Sequence, residues 1–407
     1  MVTSGIRSRE RRWFVAGVAA IIGIGLSAPP ASARPHVADT FRHRPAAVAV
    51  GVDAAGRVYT VANDGVDRDS TALIRAFDLD GTLRWERMWR PPLASVSGRD
   101  IAVTPDGTVA VTAKIASTDP DVPCDEIWSY GWAVKTWTSD GTPLWQHAEH
   151  GWRTCDVFGT AGRAVAIGSD VVVVGIQHAD EYSVSVDLVA FGRSGERRWL
   201  RRLRTPGADD EILAELALGP GGAVYAAVTT FTPGLDVEHE ADAVLVKQQP
   251  DGSPAWMRRA PGRPGADERG ASVVALAAGV VFGALMDAPA GVGAVRVAAY
   301  GWGGGLRWRW RATGVSRTTW RWWLGPWVAV WNGGVLLAGT EDTRSGHPRA
   351  TLRGYDREGH LRWRIRLGPS DVSRGAHALA ARGDVIVLAG GRYDAPDLAN
   401  RVWILTG

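Results

Sequence analysis

A Gly-x-x-x-Trp pair recurs six times along the chain, at Gly81/Trp85, Gly141/Trp145, Gly195/Trp199, Gly252/Trp256, Gly304/Trp308 and Gly359/Trp363, and successive tryptophans lie 60, 54, 57, 52 and 55 residues apart. A repeat of this length, with several short apolar runs between turn residues, describes a small sheet that cannot bury its own faces. Such sheets must stack on copies of themselves. One unit reads Ile101-Ala102-Val103, a Pro-Asp-Gly turn at 105–107, Val109-Ala110-Val111, a long polar stretch, Trp132-Ala133-Val134, an Asp-Gly turn at 140–141, and Pro143-Leu144-Trp145. Four strands make one blade of a β-propeller. The first strand of each unit is small and aliphatic, as in Ala164-Val165-Ala166 and Leu216-Ala217-Leu218, which suits the crowded wall beside the axis. The recurring glycine supplies a positive φ in the turn before the fourth strand, and the tryptophan four residues later packs between blades.

The first three strands occur seven times and the fourth only six, so the expected fold is all-β, a seven-bladed propeller, with six or eight blades as the alternatives. The last unit runs out at Gly407 where its fourth strand is due. The segment Val37 to Arg44 precedes the first inner strand and is expected to complete that blade, because an unpaired edge there invites aggregation.

Residues 1–33 differ from the rest. Arg7, Arg9, Arg11 and Arg12 precede an apolar run from Trp13 to Ala28, and Ala31-Ser32-Ala33 offers a small-x-small cleavage site. This is the pattern of a signal peptide, and 34–407 is then a single propeller domain. Arg11-Arg12-Trp13-Phe14-Val15 fits a twin-arginine signal as well as a general secretory one, and either route leads to a periplasmic or extracellular location. The apolar run is too short to span a bilayer, so no membrane insertion is expected. Without residues 1–33, which hold four arginines and Glu10, the 46 basic and 43 acidic side chains become 42 and 42. A near-neutral chain lacks the basic excess of a nucleic-acid binder.

The units resemble those of the bacterial propellers with quinoprotein-like repeats, most closely at Ala76-Phe77-Asp78-Leu79-Asp80-Gly81-Thr82-Leu83-Arg84-Trp85 and at Tyr355-Asp356-Arg357-Glu358-Gly359-His360-Leu361-Arg362-Trp363. They are also similar to the short repeats of uncharacterised extracellular bacterial propellers. The resemblance implies a fold and no particular reaction. The quinone-dependent dehydrogenases of that group have eight blades and set the quinone against a disulfide between adjacent cysteines, whereas here Cys124 and Cys155 are far apart in sequence. No cofactor is predicted, and pyrroloquinoline quinone or calcium finds no supporting motif.

In such a fold the second-to-third loops and the connections between blades share one face, and the short turns share the other. Ligand binding is expected on the long-loop face, built from 115–130, 177–185, 229–242 and 391–400 with the connections 150–162 and 312–326. Cys124 and Cys155 both fall there, and export permits a disulfide that staples two loops. The connection holding Trp320, Arg321, Trp322 and Trp323 is a candidate ligand platform, since flat ligands and sugars stack on such surfaces; packing against the sixth blade is the competing reading. Acidic residues crowd the same face, including Asp209, Asp210, Glu211, Asp242 and the run Glu238-His239-Glu240, but none has the spacing of a calcium loop or zinc site, so no metal is assigned.

No nucleophile elbow, phosphate loop or dinucleotide fingerprint occurs. The leading expectation is a non-catalytic, monomeric binding or scaffolding module for a protein, peptide or glycan. The alternatives are a cofactor-dependent oxidoreductase of quinoprotein type and a carbohydrate-active hydrolase or lyase.

Overall fold

The computed structural model describes residues 34–407 apart from 44, 46, 66–69, 91–93, 119–127, 155–158, 180–182, 232–240, 261–267, 287–291, 317–326, 342–348, 368–373 and 393–399. Seven four-stranded antiparallel sheets form the ring of a seven-bladed β-propeller. The inner strands of blades 1 to 7 are Ala47–Val52, Ala94–Val103, Thr160–Ile167, Asp210–Leu218, Glu268–Leu276, Trp327–Trp331 and Arg374–Arg382. The outer strands of blades 1 to 6 are Leu83–Trp89, Pro143–Thr154, Arg197–Arg202, Pro254–Arg259, Leu306–Ser316 and Leu361–Leu367.

Blade 7 takes its outer strand from the opposite end of the domain. His36–His43 pairs antiparallel with Asn400–Thr406, matching Val37 with Leu405 and Phe41 with Val402. The expected closure is therefore what the chain does, and it ties the two ends of the ring with backbone hydrogen bonds.

The buried apolar side chains of the described residues fall into seven clusters, one at each seam between neighbouring blades, including the seam of blade 7 with blade 1. Each sheet has two apolar faces, and only a closed ring covers both of them in every blade. The stabilising burial is thus shared between blades and not held within them.

The repeated glycine and tryptophan act across the seams. Gly141 has φ +83°, and a Cβ there would lie 2.8 Å from Trp85 of the preceding blade. Left-handed backbone and close approach both require glycine at that point. The indole N–H then donates to the same turn: Trp85 to Ser139 O at 2.9 Å, Trp145 to Arg193 O at 2.7 Å, Trp199 to Pro250 O at 2.7 Å and Trp256 to Trp302 O at 3.1 Å. Arg87 and Arg258, two residues beyond their tryptophans, reach across as well and donate to Gly141 O and Gly304 O.

Blade 5 departs from this rule. It is Trp310, and not Trp308 of the repeat, that lies against Gly359 of blade 6 and stacks on Tyr355 at 4.4 Å. The two indoles sit two residues apart on one face of the strand and stack on each other, so either could fill the seam. Trp310 Nε1 is buried without a hydrogen-bond partner among the described residues. Trp363 packs in the seam of blades 6 and 7 and meets Trp331 edge-on at 5.9 Å.

The strands also run further than the apolar alternation suggests. Val109–Thr118 and Trp128–Trp137 take in both ends of the expected 115–130 loop, and Pro143–Thr154 takes in the start of the next connection. Backbone ladders continue through polar residues, which side-chain patterning does not register.

Candidate binding face and axial ring

Inner strands present one hydrogen-bonding edge to the axis, and the N–H groups on that edge have no ladder partner. Six of the seven strands carry a bulge at the same level, between Ala47 and Ala49, Gly98 and Asp100, Gly162 and Ala164, Leu213 and Glu215, Gly270 and Ser272, and Ala376 and Ala378. Bulges bend a strand and re-aim its side chains. The residue after the bulge turns toward the next blade, and in three blades it is polar.

Asp100 accepts from its neighbour Ile101 N at 2.8 Å and from Val165 N of blade 3 at 2.9 Å. Glu215 accepts from Val273 N of blade 5 at 2.9 Å and from the Ser272 hydroxyl. Ser272 in turn accepts from Val328 N of blade 6 at 3.2 Å. Asn63 of blade 1 completes the pattern one position earlier, donating to Gly98 O at 3.1 Å and accepting from Gly98 N at 2.7 Å. These side chains satisfy N–H groups that the axial edge would otherwise leave unpaired.

Asp100 and Glu215 are partly exposed, and since neighbouring blades cover both faces of an inner strand, that exposure is to the axial channel. Burial pushes the Asp100 carboxyl up to about 6, against the two N–H donors that lower it. Burial also pushes Glu215 up to about 8, and the charge of Asp100 adds to the rise. At neutral pH Glu215 is therefore mostly protonated, with one oxygen still accepting from the next blade.

The bulge residues of blades 2 and 3 are Arg99 and Arg163, in the matching sequences Gly98-Arg99 and Gly162-Arg163. Burial and then repulsion from Arg99 bring the Arg163 guanidinium down to about 10. Three hydrogen-bonded polar side chains thus tie neighbouring inner strands together around the axis. None of these residues was among the candidates read from sequence. Inner strands were recognised from aliphatic triplets, and Asp100, Glu215 and Ser272 each stand one residue upstream of such a triplet. Aligning the units on the pairs Asp100-Ile101, Glu215-Leu216 and Ser272-Val273 would have exposed them.

Of the candidates that sequence did supply, Trp320, Arg321, Trp322, Trp323, Cys124, Cys155 and Glu238-His239-Glu240 lie outside the described residues. Several acids of the same face have structural partners. Glu211 is buried and accepts from Thr205 N, Asp210 accepts from Val184 N at 2.7 Å, and Asp242 pairs with Arg259 at 2.6 Å. On the opposite face Asp356, Glu358 and His360 bring possible metal-ligand atoms within 4.8 Å of one another. Asp356 is already engaged by His360 N at 2.8 Å and Arg362 at 2.6 Å, so the group is accounted for as the polar wiring of a turn.

The calcium-bound quinone of the quinoprotein enzymes would need unengaged anionic oxygens. The described axial acids do not fit it: Asp100 has both oxygens accepting N–H groups, and burial disfavours the charged form of Glu215.

No family model matches the sequence, and no curated protein matches it. Solved structures match the fold. The polysaccharide lyase Uly1 aligns at a TM-score of 0.51 and 10% identity over 89% of this chain and 90% of that chain. A protein of unknown function from Dyadobacter fermentans aligns at 0.46 and 12% identity over 91% and 99%, and a chain of the mitotic checkpoint complex at 0.48 and 9% over 99% of both. The first of these likenesses, at 10% identity, carries the propeller fold and no activity. Quinoprotein-like repeats remain a resemblance of residues. Among the described residues no helix is long and apolar enough to cross a membrane.

Proposed function

We propose that the protein is an exported, non-catalytic propeller that acts as a binding or scaffolding module and holds a protein, peptide or glycan on its long-loop face. The observation that carries this reading is the use made of the axial acids. Asp100, Glu215 and Ser272 hold backbone N–H groups of the neighbouring blade, so the polar ring stiffens a platform and leaves little for acid–base chemistry. In this reading residues 1–33 direct export, a Cys124–Cys155 bridge staples two loops, and Trp320, Arg321, Trp322 and Trp323 supply the stacking surface. Native mass spectrometry of the exported chain, followed by glycan and peptide arrays, tests it. A monomer two mass units below the reduced value that retains a glycan or peptide supports the reading; a bound quinone or stoichiometric metal sinks it.

A carbohydrate-active hydrolase or lyase is the second reading, and one observation favours it. Asp100 and Glu215 share the channel with carboxyl groups held at different values, the arrangement that separates a general base from a general acid. Glu215→Gln keeps the oxygen that accepts from Val273 N while removing the acid. Loss of a measurable glycan turnover in that variant, with folding intact, would replace the first reading by the second.

A further inference from the structure

The outer strand of blade 5 reads Leu306-Arg307-Trp308-Arg309-Trp310-Arg311. Alternation places the two indoles on the face toward blade 6 and Arg307, Arg309 and Arg311 on the other, where all three are exposed. None of the three forms a hydrogen bond or ion pair with any described residue. Directly opposite Arg311 in the ladder stands Arg296, as Arg353 stands opposite Arg364 in blade 6.

Blade 6 carries the same row 55 residues later, as Arg362, Arg364 and Arg366, and neutralises it. Asp356 takes Arg362 at 2.6 Å, while Glu341 takes Arg364 at 3.0 Å and Arg366 at 3.1 Å. At the corresponding positions blade 5 has Gly301 for Asp356, Met286 for Glu341, and Arg296 for Thr351. A Cβ on Gly301 would lie 3.2 Å from Arg307 Nε, so the place of the missing carboxylate is beside its guanidinium. Edge arginines alone would discourage strand pairing. Discarding both acids serves no such purpose and leaves a positive row for something outside the chain.

We propose that the rim of blade 5 is a docking surface for an acidic polysaccharide, whose carboxylates pair with Arg307, Arg309 and Arg311. The arginines are spaced at about 6.7 Å along a single strand, a linear array one chain wide. Arg362, Arg364 and Arg366 of blade 6 and Arg259 of blade 4 are neutralised, so the row has neither the breadth of a duplex footprint nor the spread that an anionic bilayer would engage. Single-stranded nucleic acid binds through bases stacked on aromatic rings, and the two indoles of this strand face the other way, into the seam with blade 6. Guanidinium forks suit carboxylates in pairs of parallel hydrogen bonds. The surface is separate from the long-loop face and does not depend on the function proposed for it.

The test is a titration of the full exported chain with a polygalacturonate oligosaccharide at low and high salt. A neutral oligosaccharide, a single-stranded oligonucleotide and phosphatidylglycerol vesicles are the other arms. The oligouronate should bind best, and salt should weaken it. Met286→Glu with Gly301→Asp restores the acids of blade 6 and should weaken binding by about tenfold or more, the sum of three exposed ion pairs. Arg309→Gln with Arg311→Gln, which leaves the core untouched, should do the same without adding acids. Undiminished binding in both variants overturns the proposal, as does tighter binding of the oligonucleotide or the vesicles than of the oligouronate.

Discussion

Blades 5 and 6 are neighbours built on one pattern, and they treat the same feature in opposite ways. Both expose an arginine row on the outer strand, but blade 6 surrounds it with Asp356 and Glu341 while blade 5 puts Gly301 and Met286 in those places. The seams differ too. Blade 6 keeps the repeat tryptophan Trp363 in its seam, and blade 5 sends Trp310 across instead, where its N–H has no hydrogen-bond partner among the described residues. A blade can thus lose its rim ion pairs and shift its seam residue without losing its sheet, because the seam clusters and the backbone ladder hold it. The repeat fixes where side chains go, and charge compensation on the rim is free to vary.

The largest expected effect breaks the seam side of this comparison. Trp310→Ala should destabilise the propeller by about 3 kcal/mol, since it opens a space against Tyr355 and Gly359, and Trp308→Ala by about half as much. Denaturant unfolding of the two variants checks the order, and a larger loss for Trp308→Ala would restore the uniform repeat. Next in size is the conversion of blade 6 into a second blade 5. Glu341→Met with Asp356→Gly removes a turn anchor and the acids of the row, and should cost about 2 kcal/mol while creating a second uronate-binding strand. A variant that loses stability and gains no binding would show that an uncompensated row is not sufficient.

The acids of the rim and the axis also separate by pH. Burial raises Glu341 and Asp356, but hydrogen bonds and arginine neighbours outweigh it and hold both below the usual carboxylate range. Their contribution is present above the unfolded value and is lost as pH falls through the folded one. Glu215 has the opposite sign. Its folded value of about 8 lies above the unfolded one of about 4.5, so its contribution is complete below about pH 4.5 and is lost as pH rises toward 8. Melting temperature should therefore decline between about pH 4.5 and about pH 8, and Glu215→Gln should flatten that decline while leaving the profile below about pH 4.5 unchanged. An unaltered slope over that window in Glu215→Gln would mean that the carboxyl is not held protonated in the folded chain.

The ring was legible because a glycine forced by left-handed backbone and an indole forced by a wide seam recur at fixed separation. Val37 to Arg44 could be assigned to blade 7 because one strand was missing from the count, and His36–His43 occupies that place. The seam residue of blade 5 was not legible. Trp308 and Trp310 share one face, and spacing alone favours the first. The axial ring escaped for a different reason: Asp100, Glu215 and Ser272 sit at a bulge, where alternation breaks and polar residues look like the end of a loop. The blade 5 row was in plain sight as three arginines, but only the ladder shows which acids stand beside blade 6's copy and which residues replace them. The face chosen for ligand binding rested on loop length and composition, and Trp320, Arg321, Trp322 and Trp323 lie outside the described residues.

The smallest expected effect sharpens the comparison most cleanly. Met286→Glu with Gly301→Asp gives blade 5 the carboxylates of blade 6, and exposed ion pairs are worth only about 0.5 kcal/mol each, so the gain in stability from three of them should not exceed about 1.5 kcal/mol. Gly301 does not need a left-handed backbone, and the nearest atoms to a new Cβ belong to the flexible Arg307 side chain, so the second substitution is sterically accommodated. Met286 is 6% exposed, which makes the first the harder one, though Glu341 at 15% occupies the matching position as an ion pair. A gain that fades with added salt would show that the native row repels itself and is kept at some cost to the folded chain. A neutral or destabilised double variant would show that the arginines of blade 5 are already spread far enough apart in solvent, and the difference between the two rims would then be one of composition with no stored repulsion behind it.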